Sequence, residues 1–365
     1  MIESRENLQR LQEAYEEHHA ACIGQFSARL ACSSVLGPML ERFDLYLRRP
    51  GKRIRPLLLL ASHQSILGRS SSLTEILPAA FAMEAFHCFI LIHDDVIDES
   101  ASRRGRASLH ADLAGRLGHS RRRGENLAVI LGDLLYGYAL EKLNEVSISA
   151  ELKTKGIRYF SKVIQDTGLG EALELSLAEM EPAKVTEAEI EKVYELKTTR
   201  YTFEAPLVLG AIMGGADDLM LEPLMRYSKP VGRAFQIAND LHEIRLILNG
   251  TADLAYDLAG EIRTLYLRRL AEQLPPGDRE ALNAIPDGSS RGLERVIGAI
   301  RSATGRSVFE GLCEEVSNGM REGREIIEEA ISEGRLPIGF RLIAELVERR
   351  FEHSEAGRIA EPLKV

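Results

Sequence analysis

Apolar side chains recur three or four residues apart along almost all of this 365-residue chain, whereas the alternation typical of strands is nearly absent. The segment 79–97 is apolar on most of its faces, which predicts a long helix inside a bundle. Helical spacing continues at 127–143, 207–213, 231–248 and 262–274. The pattern therefore predicts an all-α protein.

The connections between these segments are short turn signals, and none is typical of an interdomain linker. We expect a single domain over residues 1–365, with 1–45 and 352–365 peripheral to it. Pro206 lies inside the apolar run 203–210 and predicts a kink there, because proline removes a backbone donor and clashes with the preceding turn.

Composition narrows the class of protein. The chain is 45% hydrophobic and 28% charged, which is typical of a globular protein, and its net charge of -9 argues against nucleic acid as a partner. No apolar run approaches the roughly 18 residues of a membrane span. The charged start lacks the apolar core of a signal peptide, so we expect a cytoplasmic protein. The four cysteines show no metal-ligand spacing and are predicted to be buried free thiols.

Three carboxylates stand at the end of the long apolar segment. Asp94 and Asp98 are four residues apart and share a helix face, with Asp95 about 100° round the helix. Carboxylates this close repel one another and lose hydration beside apolar residues, so a cation should compensate. Magnesium fits, because it prefers oxygen ligands and bridges carboxylates to phosphates. The alternative is a solvated acidic helix end, which the apolar run preceding it disfavours.

Basic residues flank this cluster in the sequence. Arg103 and Arg104 follow it on a predicted loop, and Lys52, Arg53 and Arg55 precede the apolar helix. Arginine binds phosphate oxygens in bidentate fashion and keeps its charge. Each basic group alone is more often a solvated loop. Together with the acids they predict two bound anions, one held through metal and one held directly by cations.

These residues belong to a longer set of motifs that resembles the trans-isoprenyl diphosphate synthases, or polyprenyl synthases. The set comprises Gly51-Lys52-Arg53-Ile54-Arg55-Pro56, His87, D-D-x-x-D at Asp94 to Asp98, Arg103-Arg104-Gly105, Gly132-Asp133, Lys197-Thr198 and Ala234-Phe235-Gln236-Ile237. Order and approximate spacing match from about residue 45 to about residue 265.

The resemblance implies a single helical bundle around a central cavity, assembled as a homodimer. It also implies condensation of isopentenyl diphosphate with an allylic diphosphate, with two or three Mg²⁺ ions. By this resemblance Asp94 and Asp98 bind magnesium directly, Asp95 supports them, and Arg103 holds the allylic diphosphate. The remaining residues carried over are Lys52, Arg55, His87 and Arg104 for the diphosphate of isopentenyl diphosphate, and Lys197, Thr198 and Gln236 for the reacting end of the allylic substrate.

Phe89 bears on product length. It lies five residues before Asp94, which puts its ring about one helical turn back on the same side. In the family that it resembles, a bulky residue there is a floor that stops chain growth. We therefore expect products of fifteen to twenty carbons.

The second acidic motif departs from the family pattern. Instead of D-D-x-x-D the chain has Asn239-Asp240-Leu241-His242-Glu243. Asn239 and Glu243 remain the expected metal ligands, but an asparagine carbonyl brings no charge, so a third ion should bind more weakly. No lysine occurs between Lys229 and Lys364, where the family has lysines, and Arg245 or Arg263 is a possible substitute.

Three functions fit these observations. The favoured one is a short-chain prenyltransferase. A terpene synthase-like lyase is disfavoured by Lys52, Arg55 and His87, because a cyclase has no use for a second diphosphate pocket. A non-catalytic or regulatory subunit is favoured by Asn239 and the missing lysines and disfavoured by the intact first motif.

Overall fold

The computed structural model describes residues 2–68, 71–103, 105–181, 184–250, 263–283 and 290–352, and nearly all of them are helical. The predicted all-α fold is confirmed. The first helices are α1 (Ile2–Leu30), α2 (Gly37–Leu47), α3 (Ile54–Leu67), α4 (Leu77–Ile97), α5 (Leu109–Leu117), α6 (Arg121–Asn144), α7 (Ala150–Ala178) and α8 (Glu187–Val193). A π-helical segment (Tyr194–Glu204) follows, and then α9 (Ala205–Met213), α10 (Asp218–Leu248), α11 (Leu265–Gln273), α12 (Pro276–Asn283), α13 (Ser290–Arg301), α14 (Ala303–Ser332) and α15 (Gly339–Glu352).

Contacts divide the chain into two compact units. Unit 1 is Met1–Ile157 with Leu209–Ala216, and unit 2 is Arg158–Val208 with Asp217–Val365. The single domain with peripheral ends stays a prediction, and residues 353–365 lie outside the described part of the chain.

Unit 1 is built on α4, whose residues 77–86 are all buried. They are apolar except for Glu84, which is paired with Arg53. Helix α4 packs chiefly on α6 and α3. Elsewhere in the unit α3 meets Gly210, where an added Cβ would lie 2.3 Å from the carbonyl oxygen of Leu59. Glycine is therefore required at that crossing.

Unit 2 is built on α10, which packs on α14 and on the π-helical segment. Long π-helical stretches are rare and often mark functional sites. The π geometry ends at Glu204 and α9 begins at Ala205, immediately before Pro206. A change of helix type therefore precedes Pro206, whose nitrogen has no amide hydrogen to donate, and the kink expected there stays a prediction.

Among the cysteines, Cys22 is buried and Cys88 and Cys313 are half-buried, but Cys32 is exposed. The prediction of buried thiols is therefore wrong for Cys32, which lies just beyond the end of α1. Within the described ranges, every helix is too short or too polar to cross a membrane.

Candidate functional site

The acidic motif of unit 1 closes helix α4. Asp94 and Asp95 lie in its last turn, and the amide of Asp98 donates to the carbonyl of Asp94 at 2.8 Å. Glu99 adopts a left-handed conformation with φ of 52°, and the amide of Ser100 then donates to the carbonyl of Asp95 at 2.9 Å. Such a closure ordinarily uses glycine in the left-handed position. The chain turns sharply here and continues into a short hairpin.

That hairpin brings Arg103 back to the acids. Strand β1 (Ser102–Arg103) pairs antiparallel with β2 (Arg106–Ala107), so the predicted loop is a minimal β-ribbon. Arg103 Nε donates to Asp95 Oδ1 at 2.6 Å, and its Nη2 donates to Asp94 Oδ2 at 2.7 Å. Burial lowers the pKa of Arg103, but the two carboxylates outweigh it and the net shift is upward, so the guanidinium stays charged. Arg104 lies outside the described residues.

Asp95 is the buried member of the motif, while Asp94 is half-buried and Asp98 is exposed. Burial raises the pKa of Asp95, although the charge of Arg103 opposes the rise. Within the described part of the chain, Asp95 Oδ2 is buried without a hydrogen-bond partner. A carboxylate oxygen left in that state favours a nearby cation. The all-oxygen donor set and this unmet acceptor fit magnesium.

An aromatic cluster lies on the helix preceding the acids. The ring of Phe89 is 4.5 Å from that of His93, 5.7 Å from that of Phe86 and 5.1 Å from that of Tyr136. Tyr136 was not predicted from the sequence, because its contact joins α6 to α4. The Gly132-Asp133 motif explains how the two helices approach. A Cβ at Gly132 would lie 2.7 Å from His93 Nε2.

The basic residues around the start of α3 differ in burial. Arg53 is buried, has φ of 48°, and donates to Glu84 Oε1 at 2.6 Å and to the carbonyl of Arg49 at 3.0 Å. It holds the turn that precedes the helix. Lys52 is exposed and Arg55 is half-buried, as is His87 on α4. All of these residues belong to unit 1, as do the three acids.

Lys197 and Thr198 lie on the π-helical segment of unit 2. Lys197 Nζ binds Glu171 Oε2 at 2.9 Å and also binds Glu174, both on α7. These two glutamates were missed by the sequence reasoning. Their spacing of three residues on a helix was the available signal.

Thr198 faces the second motif. Its hydroxyl donates to Gln236 Oε1 at 2.7 Å, and Gln236 Nε2 donates to Asp240 Oδ1 at 2.8 Å. The hydroxyl of Tyr194 donates to Asp240 Oδ2. Burial raises the pKa of Asp240 to about 7 against the opposing effect of these two hydrogen bonds. The structure therefore makes Asp240 the polar centre of this cluster.

The expected ligands Asn239 and Glu243 are exposed and half-buried, respectively. Of the two suggested substitutes for the missing lysines, Arg245 is buried. Arg263 donates to the carbonyls of Met180 at 3.0 Å and Ala178 at 2.5 Å. Its guanidinium thus caps the end of α7, which disfavours Arg263 as a replacement.

Known proteins resemble this chain in sequence and in fold. The family model described as polyprenyl synthetase matches residues 38–284. The chain is 34% identical over 191 residues to a geranylgeranyl diphosphate synthase of Methanosarcina mazei, covering 52% of this chain and 54% of that one. It is 29% identical over 196 residues to a short chain isoprenyl diphosphate synthase of Methanocaldococcus jannaschii, covering 53% and 54%. The match thus spans about half the length of these curated relatives.

Solved structures share the fold. A geranylgeranyl pyrophosphate synthase from Corynebacterium glutamicum, complexed with isoprenyl diphosphate and magnesium, superimposes with a TM-score of 0.77 at 23% identity, covering 95% of this chain and 98% of that one. A decaprenyl diphosphate synthase from Rhodobacter capsulatus gives 0.73 at 22% identity, covering 97% and 100%. Because the family model spans well over half of its residues, the chain belongs to the polyprenyl synthetase family.

Proposed function

We propose that this protein is a short-chain prenyltransferase that joins isopentenyl diphosphate to an allylic diphosphate and makes a product of fifteen to twenty carbons. The observation that carries the proposal is the acidic end of α4, where Arg103 is bound to both Asp94 and Asp95. An anion-binding cation held beside a cluster of three carboxylates is suited to a metal-bound diphosphate. The names of the relatives, geranylgeranyl diphosphate synthase and short chain isoprenyl diphosphate synthase, support the same substrate class.

In this proposal Asp94 and Asp98 hold magnesium, and Asp95 holds Arg103 in place. Bound magnesium would neutralise charge on the departing diphosphate. The Nε–H and one Nη2–H of Arg103 donate to the carboxylates, so its other N–H groups can donate to a diphosphate oxygen. Two or three ions are proposed, the third at Asn239 and Glu243. The solved Corynebacterium glutamicum synthase of the same fold, which is complexed with isoprenyl diphosphate and magnesium, supports the choice of ion.

The other residues of the proposed site bind the second diphosphate or contact the reacting carbon. Lys52, Arg55 and His87 bind the diphosphate of isopentenyl diphosphate through their positive or hydrogen-bonding groups, with Arg104 as a further ligand. Thr198 and Gln236 present oxygen dipoles to the allylic carbon as positive charge develops on it. Lys197 lies beside Thr198 on the π-helical segment and is bound to two glutamates. It lines the reacting end of the allylic substrate together with Thr198 and Gln236.

We further propose that the protein is a cytoplasmic homodimer. Light scattering of the purified chain tests the stoichiometry, and fractionation of cells tests the location. A mass of one chain would refute the dimer.

A second candidate, a non-catalytic or regulatory subunit, is favoured by Asn239, which removes a charge from the second motif. One relative, 31% identical over 195 residues, is named the large subunit of a heterodimeric geranylgeranyl pyrophosphate synthase from Arabidopsis thaliana. Heteromeric members of the family therefore exist among the relatives.

One assay separates the candidates. The purified chain is incubated with Mg²⁺, labelled isopentenyl diphosphate and, separately, allylic diphosphates of five, ten, fifteen and twenty carbons. Longer diphosphates support the prenyltransferase. Hydrocarbons or alcohols formed without isopentenyl diphosphate indicate a lyase. No turnover alone, with activity restored by a co-purified homologue, indicates a subunit.

The metal assignment is tested with Asp94→Ala, which should abolish turnover. Glu99→Ala is the matched control, because Glu99 is an adjacent acid that pairs with Arg121 instead of the motif. Near-normal turnover of Asp94→Ala would overturn the assignment.

Asn239→Asp should lower the Mg²⁺ concentration needed for half-maximal rate, and an unchanged requirement would refute a third ion at the second acidic motif.

A further inference from the structure

A continuous chain of hydrogen bonds runs through unit 2 from a helix N-terminus to Thr198. The amide of Leu265, the first residue of α11, donates to the hydroxyl oxygen of Tyr194 at 3.2 Å. Tyr194 donates to Asp240, Gln236 donates to Asp240 from its other side, and Thr198 donates to Gln236. Tyr194 itself is buried, at 4% exposure.

The direction of donation along these hydrogen bonds starts from the amide of Leu265. A backbone N–H can only donate, so the Tyr194 oxygen accepts from Leu265. The Tyr194 hydroxyl in turn donates its proton to Asp240 Oδ2. Asp240 is thereby an acceptor, and it takes the Nε2 side of the Gln236 amide at Oδ1. The Oε1 side of that amide is left for the hydroxyl of Thr198.

The consequence reaches the proposed reaction. Because the proton of Thr198 is committed to Gln236, the remaining surface of its Oγ1 carries lone pairs. A flipped Gln236 amide would reverse this polarity, since Nε2 would then face Thr198 and require it to accept. The hydrogen-bond chain therefore decides whether Thr198 offers negative or positive character to a ligand.

We propose that Tyr194 is a positioning residue that fixes Asp240 and, through it, the orientation of Gln236 and the polarity of Thr198. The proposal rests on the prenyltransferase function, in which Thr198 faces developing positive charge. Tyr194 is also the first residue of the π-helical segment that carries Thr198, so its hydroxyl ties the start of that segment to α10 and α11. Cooperative hydrogen bonding strengthens each link of such a chain.

Tyr194→Phe removes only the hydroxyl oxygen. We expect kcat to fall about tenfold to a hundredfold, as for small misplacements of reacting groups, while the KM values for both diphosphates stay near those of the wild type. Tyr266→Phe is the matched control. Tyr266 is equally buried, lies on α11, and donates to the carbonyl of Gly305 at 3.2 Å, outside the chain of hydrogen bonds. It should lose stability to a similar degree and keep its kcat.

Hydrogen exchange gives a measurement that does not need turnover. The first amides of a helix have no partner within the helix, so Leu265 depends on Tyr194 for protection. In Tyr194→Phe the peptide containing Leu265 should exchange one additional amide rapidly, and in Tyr266→Phe it should not. Unfolding of Tyr194→Phe, Asp240→Asn and the double variant should be non-additive, because the two residues share one hydrogen bond.

A kcat for Tyr194→Phe equal to that of Tyr266→Phe, or unchanged exchange at Leu265, would overturn the positioning role. A wild-type chain that forms no prenyl diphosphate would instead overturn the proposed function. The positioning of Asp240 by Tyr194 then stands or falls on the exchange and on the non-additivity of unfolding.

Discussion

Two arginines that look alike in the sequence, Arg53 and Arg103, have different tasks in unit 1. Arg53 is buried in a left-handed turn and neutralises Glu84 inside the helix packing. Arg103 returns on a hairpin to Asp94 and Asp95. From the sequence alone, both arginines are potential phosphate ligands. The fold, and not the residue type, decides which carboxylates each arginine meets.

Glu99 is strained where the acidic helix ends. A left-handed conformation costs a residue with a Cβ roughly 1–2 kcal/mol, and Glu99 adopts it with φ of 52°. We predict that Glu99→Gly is more stable than Glu99→Ala by about 1 kcal/mol. Both variants lose the same ion pair to Arg121, so their difference isolates the backbone term. Urea unfolding of the two measures it, and equal midpoints would contradict the strain.

Phe89 carries the prediction on product length. Removing its ring in Phe89→Ala should open space beside Phe86 and Tyr136 and lengthen the main product by at least one five-carbon unit. Phe89→Tyr keeps a ring of similar size and should leave the product unchanged. Chromatography of the dephosphorylated products distinguishes these outcomes. Equal product lengths in all three proteins would remove Phe89 from the set of length-determining residues.

At the scale of elements, the π-helical segment is the irregular one, and two glycines explain how its neighbours approach it. A Cβ at Gly170 of α7 would lie 2.7 Å from the amide nitrogen of Lys197. A Cβ at Gly232 of α10 would lie 2.5 Å from Thr199 Oγ1 and 2.7 Å from its Cα. Close backbone approach on α7 and α10 places Lys197 beside its glutamates and Thr198 beside Gln236.

Gly232→Ala should therefore push α10 and the π-helical segment apart. We expect a loss of about 1–3 kcal/mol in unfolding free energy from overpacking, and a fall in turnover because Thr198 and Gln236 separate. Gly311→Ala in α14 is the matched control, since no atom lies within 4 Å of an added Cβ there. That change should stabilise the helix by up to about 1 kcal/mol. A neutral Gly232→Ala would refute the close crossing.

Four helices of unit 2 share an ion-pair network centred on Glu315 of α14. Arg233 of α10 and Arg269 of α11 both bind Glu315, and they also bind Glu191 and Glu187 of α8. Burial alone would raise the pKa of Glu315, but the hydrogen bonds from Arg269 and Arg233 outweigh it and the pKa is lowered. The network thus favours the ionised carboxylate.

The sign of the pH dependence follows. A folded pKa below the unfolded value gives stability that is present above about pH 4.3 and lost as the pH falls through the lowered pKa. Glu315→Gln should destabilise the protein near neutral pH, and its deficit against the wild type should shrink on acidification. Urea unfolding at several pH values measures the difference. A deficit that stayed constant with pH would contradict the ionised network.

At the scale of the whole molecule, the fold tolerates wide sequence change. The chain superimposes on a solved synthase with a TM-score of 0.77 at 23% identity. Helical packing requires apolar residues of suitable volume at suitable spacing, and many sequences meet that requirement. Membership of the family therefore establishes the architecture more firmly than it establishes a substrate.

Ligand binding should be visible as a change in stability of the whole chain. Mg²⁺ with inorganic pyrophosphate should raise the thermal midpoint by several degrees, because ligands that bind the folded state alone stabilise it. Removal of the metal with EDTA should reverse the shift, and Asp94→Ala should reduce it strongly. Differential scanning calorimetry measures it. An equal shift in Asp94→Ala would place the binding elsewhere.

The sequence by itself determined the helical class, the acidic helix end and the basic motifs. These depend on local spacing: three-to-four residue periodicity produces a buried helix face, and acids four residues apart share one side of a helix. Lys197, Thr198 and Gln236 were proposed only through the resemblance to the family motifs.

Only the tertiary structure decided which partner each polar group has. Tyr136 beside Phe89, Glu171 beside Lys197, and Tyr194 bound to Asp240 are contacts between segments far apart in the chain. No local pattern specifies them, because a hydrogen bond or ion pair depends on helix packing and on which side chains burial brings together. The acidic end of α4 was predictable as a cluster of carboxylates, whereas its anchoring by Arg103 required the fold.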